Sequence, residues 1–508
     1  MFMLTLLMRV ALLIAVAVSL VLPTVSSAQT PTRVAPSSQP PTLLTPQQLR
    51  EDFDQLRFTL EHAHAALYRY NSKSEIDGRL DALAAHLDEP LSDVEFFRLV
   101  APLIASIRNS HTVVTAPLSI RRAVSNSSSV FPLDIRFVDG RAFVEADLSD
   151  EASVRPESEI VSIDGQSIET LSQFMMERRP VEGFVVSAQY ERLNRFFWFD
   201  YMLHLGPRST FTVQTRNPAT GSVETFLLAG VPADRVLERD QAASASGPAQ
   251  QISTGRSNIA TMTLRNLGEP DTVAFLASAF QQVEAASAEN LIIDIRGNPG
   301  GVDWYNSELV AYLVDHPFRF YKSRTPAARS YDDLRGLEYT LRDFLFAEHI
   351  ETLSPDIRAA PFEHWTLPEL FEVSLASDRA GGWQQPKAAD RFQGHVYLLV
   401  DGASGSSSSE VAALLHHLGI ATLIGSEPNG GYQGESAGIT PTLTLPNSKL
   451  AISIPILTYR NDVMPGFREG RGSPPHFEVS QSVEDARNGV DTVMRFTLAL
   501  IEARSNVR

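Results

Sequence analysis

The sequence predicts an α/β core, a parallel or mixed sheet covered by helices, preceded by an N-terminal helical region and a small β-rich module. Three observations predict it. First, the order strand, helix, strand occurs twice: NIATMTL, DTVAFLASAFQQVEAA and ENLIIDIRGN between 258 and 298, then HVYLLV, SSSSEVAALLHHLG and IATLIG between 395 and 425. Second, residues 45 to 107 pair capping signals with apolar residues at helical spacing. Third, from about residue 130 the texture changes to short alternating runs broken by turns, such as FPLDIRFVDGRAFVEA.

Each region can be justified in chain order. The N-terminus places Arg9 before an apolar stretch, Val10 to Leu22, followed by the small residues Ser26, Ser27 and Ala28. This reads as a secretory signal peptide over 1–28, since the run is shorter than the roughly 20 apolar residues that span a bilayer. A Pro-, Ser- and Thr-rich linker over 29–43 follows. The helical region, 44–115, opens with Thr45, Pro46 and Gln48 as cap, first-turn proline and capping-box partner. A second box, Ser92 with Glu95, starts a helix that stops near NSHT, residues 109–112, so Ser110 and His111 fall just past its end. Residues 116–235 form the β-rich module, in which SEIVSIDGQSI resembles the core strand and turn of a PDZ domain. QAASASGPAQ marks a linker within 236–255, and 256–508 form the α/β domain. Residues 318–392, aromatic and charged without a clear period, read as an insertion over the site. No internal repeat is visible.

Composition excludes several function classes. The 508 residues contain no cysteine, which removes thiol nucleophiles, cysteine-ligated metals and disulfides. The formal charge is -17 with lysine only at 73, 322, 387 and 449, which argues against nucleic acid, because phosphate binding needs clustered Lys and Arg. His62 and His64, and His416 and His417, lie on helices without the spacing of a metal motif and read as surface or packing residues. No cofactor and no metal are expected.

Two stretches carry chemistry. IIDIRGNPGG, 292–301, runs from a β-branched strand into a glycine turn whose backbone can approach a ligand closely. DGASGSSSSEVAALLHHLG, 401–419, passes from a strand into a serine-led helix, whose free N–H groups and positive dipole end stabilise negative charge. Taken alone, such serines read as caps.

Together the two stretches resemble the signatures of the tail-specific, or C-terminal processing, serine proteases, a group that includes tricorn protease and the interphotoreceptor retinoid-binding proteins. The resemblance covers roughly 256–480 and implies a ClpP/crotonase-like core. It puts the nucleophile at Ser407 and the glutamate of the S-E pair at Glu410. It implies oxyanion donors at the N–H groups of Gly300 or Gly301 and of Ser408. Where many members carry a lysine base, this chain has Gly431, Tyr432 and Gln433, and Lys449 lies beyond that loop. SIRNSHTVV instead resembles the D-G/S-H-T segment of the lysine-free branch, in which the histidine is the base and the residue before it a second catalytic serine, here His111 and Ser110. FREGRGSPPHFEV supplies Glu469 in place of that branch's glutamate, with His476 where an aspartate is usual.

The expected function is therefore an exported serine-type peptidase, periplasmic or secreted. It attacks with Ser407, with His111 as general base and Glu469, directly or through Ser110, orienting the imidazole. Its partners are peptide or protein substrates, captured in part by the PDZ-like module. No stable membrane span remains once the signal is removed. The alternatives are a noncatalytic carrier of apolar ligands on the same fold, and a hydrolase of nonpeptide esters or amides.

Overall fold

Three capping boxes, Thr45 with Gln48, Ser72 with Glu75 and Ser92 with Glu95, open the helices Pro46–Ala63, Lys73–Ala84 and Asp93–Ser106 of the computed structural model. The structure describes residues 43–244, 247–256, 258–339, 366–377 and 379–506. The expected signal peptide, nearly all of the leader linker and part of the 318–392 segment lie outside those residues. The first helix buries Leu49, Phe53, Leu56, Leu60 and Ala63 on one face, at the spacing read from the sequence.

The core is a six-stranded sheet in the order Gln250–Arg256, Ile259–Leu264, Asn290–Asp294, His395–Val400, Ala421–Gly425 and Phe477–Glu478. The first pair is antiparallel and the other four pairings are parallel. The strands Asn290–Asp294 and His395–Val400 are apolar on both faces because helices cover both sides, which is why they read as continuous apolar runs. Their neighbouring C-terminal ends place the glycine turn beside the serine helix.

The module contains an antiparallel sheet of Leu133–Val138, Arg141–Asp147, Glu159–Ile163, Thr210–Arg216 and Val223–Ala229. Glu159–Ile163 turns through Asp164 and Gly165, both at positive φ, into Gln166–Ser167, as expected of an Asp-Gly hairpin. The module also carries the long helix Val186–Leu205 packed on Leu133–Val138, which the β-rich reading left out.

Two expectations about connections change. The region 236–255 is not an extended linker: a helix occupies Ala233–Ser244, and Gln250–Arg256 is the sheet's edge strand, its Gln250–Ser253 part paired with Met262–Leu264 and Thr261. The 318–392 segment is tied into the core where it is described, since Tyr321–Pro326 pairs with Leu457–Asn461 and the Tyr321 hydroxyl donates to Glu410 Oε2 at 2.7 Å. Among the described residues no helix is long and apolar enough to cross a membrane.

Candidate active site

Two turns meet at the end of the parallel sheet. Gly297 N donates to Asp401 Oδ1 at 2.9 Å, Gly405 N to Asn298 O at 2.9 Å, and Ser404 Oγ to Ile295 O at 2.9 Å. These bonds fasten 295–298 to 401–405. Gly300 has φ 107° and lies so close that a Cβ there would sit 2.8 Å from Ser406 Cβ and 3.1 Å from Ser407 N. Only glycine fits both the conformation and the space.

The helix begins at Ser407, with Ser406 as its cap residue at φ 48° and ψ -132°. This is a sparsely populated conformation for a residue with a side chain, of the kind that clusters at active sites. It turns Ser406 away from the helix: the residue is half-buried, and its Oγ lies 3.2 Å from His111 Nε2. Ser409 Oγ donates to Ser406 O at 2.6 Å and holds the cap in place.

Ser407 does not occupy the position expected of it. It is the first helical residue, 1% exposed, and its Oγ has no hydrogen-bond partner among the described residues. The one-residue difference has a geometric cause. The cap residue leaves the helical path and its hydroxyl faces His111, while the Ser407 side chain is buried without a partner among the described residues.

His111 reaches this hydroxyl from the NSHT segment after the helix Asp93–Ser106. The segment is held by a chain of hydrogen bonds. Ala66 N donates to His64 Nδ1 at 3.0 Å, which leaves the proton on Nε2 to bond Thr112 Oγ1 at 2.7 Å, and Thr112 Oγ1 donates to Asn109 Oδ1 at 2.7 Å. Burial pushes His64 down to about 3, so this imidazole is neutral. His64 is thus a structural support for the site and not a surface residue. Burial likewise lowers His111, to about 4, leaving it a neutral base.

Behind the imidazole, Ser110 Oγ lies 3.2 Å from His111 Nδ1. The carboxylate it meets is Glu182. Glu182 Oε2 accepts from Ser110 N at 3.2 Å, Asn109 Nδ2 at 3.2 Å and Ser110 Oγ at 3.5 Å, while Oε1 accepts from the Tyr70 hydroxyl at 2.7 Å. Glu469 is elsewhere: its exposed carboxylate bonds Arg69 Nε at 3.0 Å and an Arg460 guanidinium nitrogen at 2.8 Å. Burial opposes the charge there, but the two arginines outweigh it and hold Glu469 below the usual carboxylate range. The sequence stretch around it contributes backbone instead, since Gly470 O accepts from Phe184 N at 2.7 Å and Gly183 N donates to Arg108 O at 2.8 Å. A Cβ on Gly183 would lie 2.2 Å from Gly470 O, so a glycine must follow Glu182 for the carboxylate to reach the site. The pair Glu182-Gly183 lies in the module, where no motif marked it.

A second acid, Glu435, also lies beside His111, with a carboxylate oxygen of each glutamate and a ring nitrogen of His111 all within 4.8 Å of one another. Burial, then the charges of Glu182 and Glu410, push Glu435 well above the usual range. Burial raises Glu182 too, but its four donors and the charge of Arg69 favour its ionised form. Glu435, which has no donors among the described residues, is the better holder of a proton.

Of the expected oxyanion donors, Gly300 N is spent on Asn298 Oδ1 at 2.9 Å and Ser408 N on Gly405 O at 3.1 Å. The N–H groups of Gly301 and Ser407 donate to no acceptor among the described residues. Lys449 Nζ bonds Pro446 O at 2.7 Å on the exposed surface.

Residues 258–479 match the model of peptidase family S41. No curated protein sequence matches the chain. Among solved structures, the chain is similar to mature CPAF complexed with lactacystin, at 14% identity and TM-score 0.59, covering 87% of this chain and 96% of that one. A further structure of mature CPAF aligns at 15% identity and TM-score 0.56, covering 87% and 94%. The family match spans both turns, the serine helix and the strands that carry them, so residues 258–479 are similar to peptidase family S41, and the chain is a serine-type peptidase.

Proposed function

We propose that the peptidase hydrolyses peptide bonds through an acyl-enzyme formed on Ser406. The observation that carries this reading is the 3.2 Å contact between Ser406 Oγ and His111 Nε2, made by residues 295 positions apart. In the first step His111 Nε2 takes the hydroxyl proton as Ser406 Oγ attacks the carbonyl carbon. The imidazolium then gives that proton to the leaving amine. Water repeats the sequence in reverse to release the acyl group.

Ser110 Oγ accepts the Nδ1–H of His111, and Glu182, through Ser110, stabilises the cation that forms. The Gly301 and Ser407 amides receive the developing oxyanion, since Ser407 follows Ser406, Gly301 follows the Gly300 that packs against Ser406, and neither amide has a competing acceptor among the described residues. General-base help contributes about 10² to 10⁴ in rate and an oxyanion donor about 10² to 10³.

The module supports capture of an extended substrate. Its edge strand Val223–Ala229 exposes Val223 and Leu227, 50% and 72% exposed, and offers an edge for strand addition. Export through residues 1–28 belongs to the same reading, and N-terminal sequencing of the mature chain checks it, with a start just after Ala28 expected.

Burst kinetics on an activated peptide ester and on a peptide amide test the mechanism. An acyl-enzyme requires a burst with the ester and steady hydrolysis of the amide, both lost in His111→Ala. Hydrolysis of esters alone would favour a nonpeptide substrate.

A further inference from the structure

We infer that His111, Glu182 and Glu435 form a binding site for a zinc-type divalent cation. A ring nitrogen of His111 and one oxygen from each carboxyl group lie within 4.8 Å of one another. The three donors come from separate stretches of chain that the fold brings together, which is why no metal motif is visible in the sequence.

An acidic cluster alone would not point to a ligand. Here Glu435 is 1% exposed and both its carboxyl oxygens are buried with no hydrogen-bond partner among the described residues. A buried carboxyl group left unsatisfied is costly, and a cation between it and its neighbours would satisfy it. Glu182 is fully buried, and its Oε1 already accepts from the Tyr70 hydroxyl, an outer bond of the kind that orients metal-binding carboxylates.

One imidazole with two carboxylates is a donor set for zinc, whereas calcium and magnesium prefer oxygen alone. Donors at about 2.1 Å from a tetrahedral zinc ion lie roughly 3.4 Å apart, so the three groups need to close by little more than an ångström. The half-buried His111 gives the ion a way in.

One consequence rests on the mechanism proposed above. An imidazole held by a metal cannot take the Ser406 proton, so zinc would inhibit reversibly. Binding itself does not rest on that mechanism.

Calorimetric titration of the full chain with Zn²⁺ tests the site, using the unmutated protein, Glu435→Gln and His416→Ala. The last variant addresses the rival trap, the stacked rings of His416 and His476, whose centroids are 4.8 Å apart. One Zn²⁺ per chain is expected, with proton release, and with affinity about tenfold or more weaker in Glu435→Gln and unchanged in His416→Ala. No binding, equal binding in a folded Glu435→Gln, or loss of binding in His416→Ala would overturn the inference. Should Glu435→Gln fail to fold, carbethoxylation of His111 by diethylpyrocarbonate in the unmutated chain decides. Protection by zinc supports the site and equal reaction overturns it. Peptide hydrolysis, scaled to each protein's zinc-free rate, separates the two claims: Glu435-dependent binding that leaves hydrolysis untouched would uphold the site and contradict His111 as the base.

Discussion

On one side of Ser406, the turns 295–301 and 401–407 each follow a strand directly and are fastened by three short hydrogen bonds across adjacent strands. On the other side, the groups behind His111 arrive from the N-terminal helices, the module and the loop at 435, and touch only because those regions pack together. The first side is written in local residue order: strand, glycine turn, cap, helix. The second is written in burial and long-range contact, so one sequence window does not contain it.

The comparison can be broken most sharply at the serines. Ser406→Ala should lower kcat by about 10⁴-fold or more, because it removes the attacking oxygen. Ser407→Ala should leave kcat within about threefold and change stability by no more than about 1 kcal/mol, since a buried hydroxyl without a partner is lost at little cost. Steady-state kinetics on one peptide substrate measure both. The reverse order would return the nucleophile to the helix interior and dissolve the distinction between cap and helix.

The acids give the next effect. Glu182→Gln should lower kcat by about 10²-fold, less than the ~10⁴-fold cost when a carboxylate bonds the histidine directly, because Ser110 stands between them. Glu469→Gln should cost less than about threefold, as its exposed carboxylate bonds Arg69 and Arg460 and not the histidine or Ser110. Equal losses in the two variants would mean that the far side of the site reaches beyond the bonds described.

A smaller effect follows pH. His111 must be neutral to accept a proton, so kcat/KM should fall as pH drops through about 4, below the 6.5 of a free imidazole. An acidic limb near 6.5 would show that the imidazole is not desolvated. Stability has its own window. His64 and His204, each lowered to about 3 chiefly by burial, are neutral when folded and charge more readily when unfolded. Their contribution is complete above about 6.5 and is lost as pH falls toward 3, so Tm should drop between pH 7.5 and pH 5. A flat Tm over that interval would contradict the burial of both rings.

The same division explains what was legible. The core strands, the two turns and the capping boxes could be read because each rests on local pattern, whereas His111, Ser110 and the lack of a lysine at 431–433 were singled out only through the family resemblance. The choice between Ser406 and Ser407 could not be read, since four consecutive serines are alike in sequence and only the positive φ of the cap separates them. Glu182 was hidden for a different reason: it sits in a stretch without a motif, and its neighbour Gly183 was the one available signal, a glycine required by the approach of Gly470. Glu469 was misplaced because its motif holds backbone for the site while its side chain turns to Arg69 and Arg460. The edge strand at 250–256 was hidden in a polar, small-residue stretch, where pairing on one side supplies what side chains do not.

The account depends on which hydroxyl His111 activates, and fluorophosphonate labelling with fragmentation mapping of the modified peptide reads that directly. The adduct is expected on Ser406, retained in Ser407→Ala and absent in Ser406→Ala and His111→Ala. An adduct on Ser407, or labelling that survives in Ser406→Ala, would contradict it.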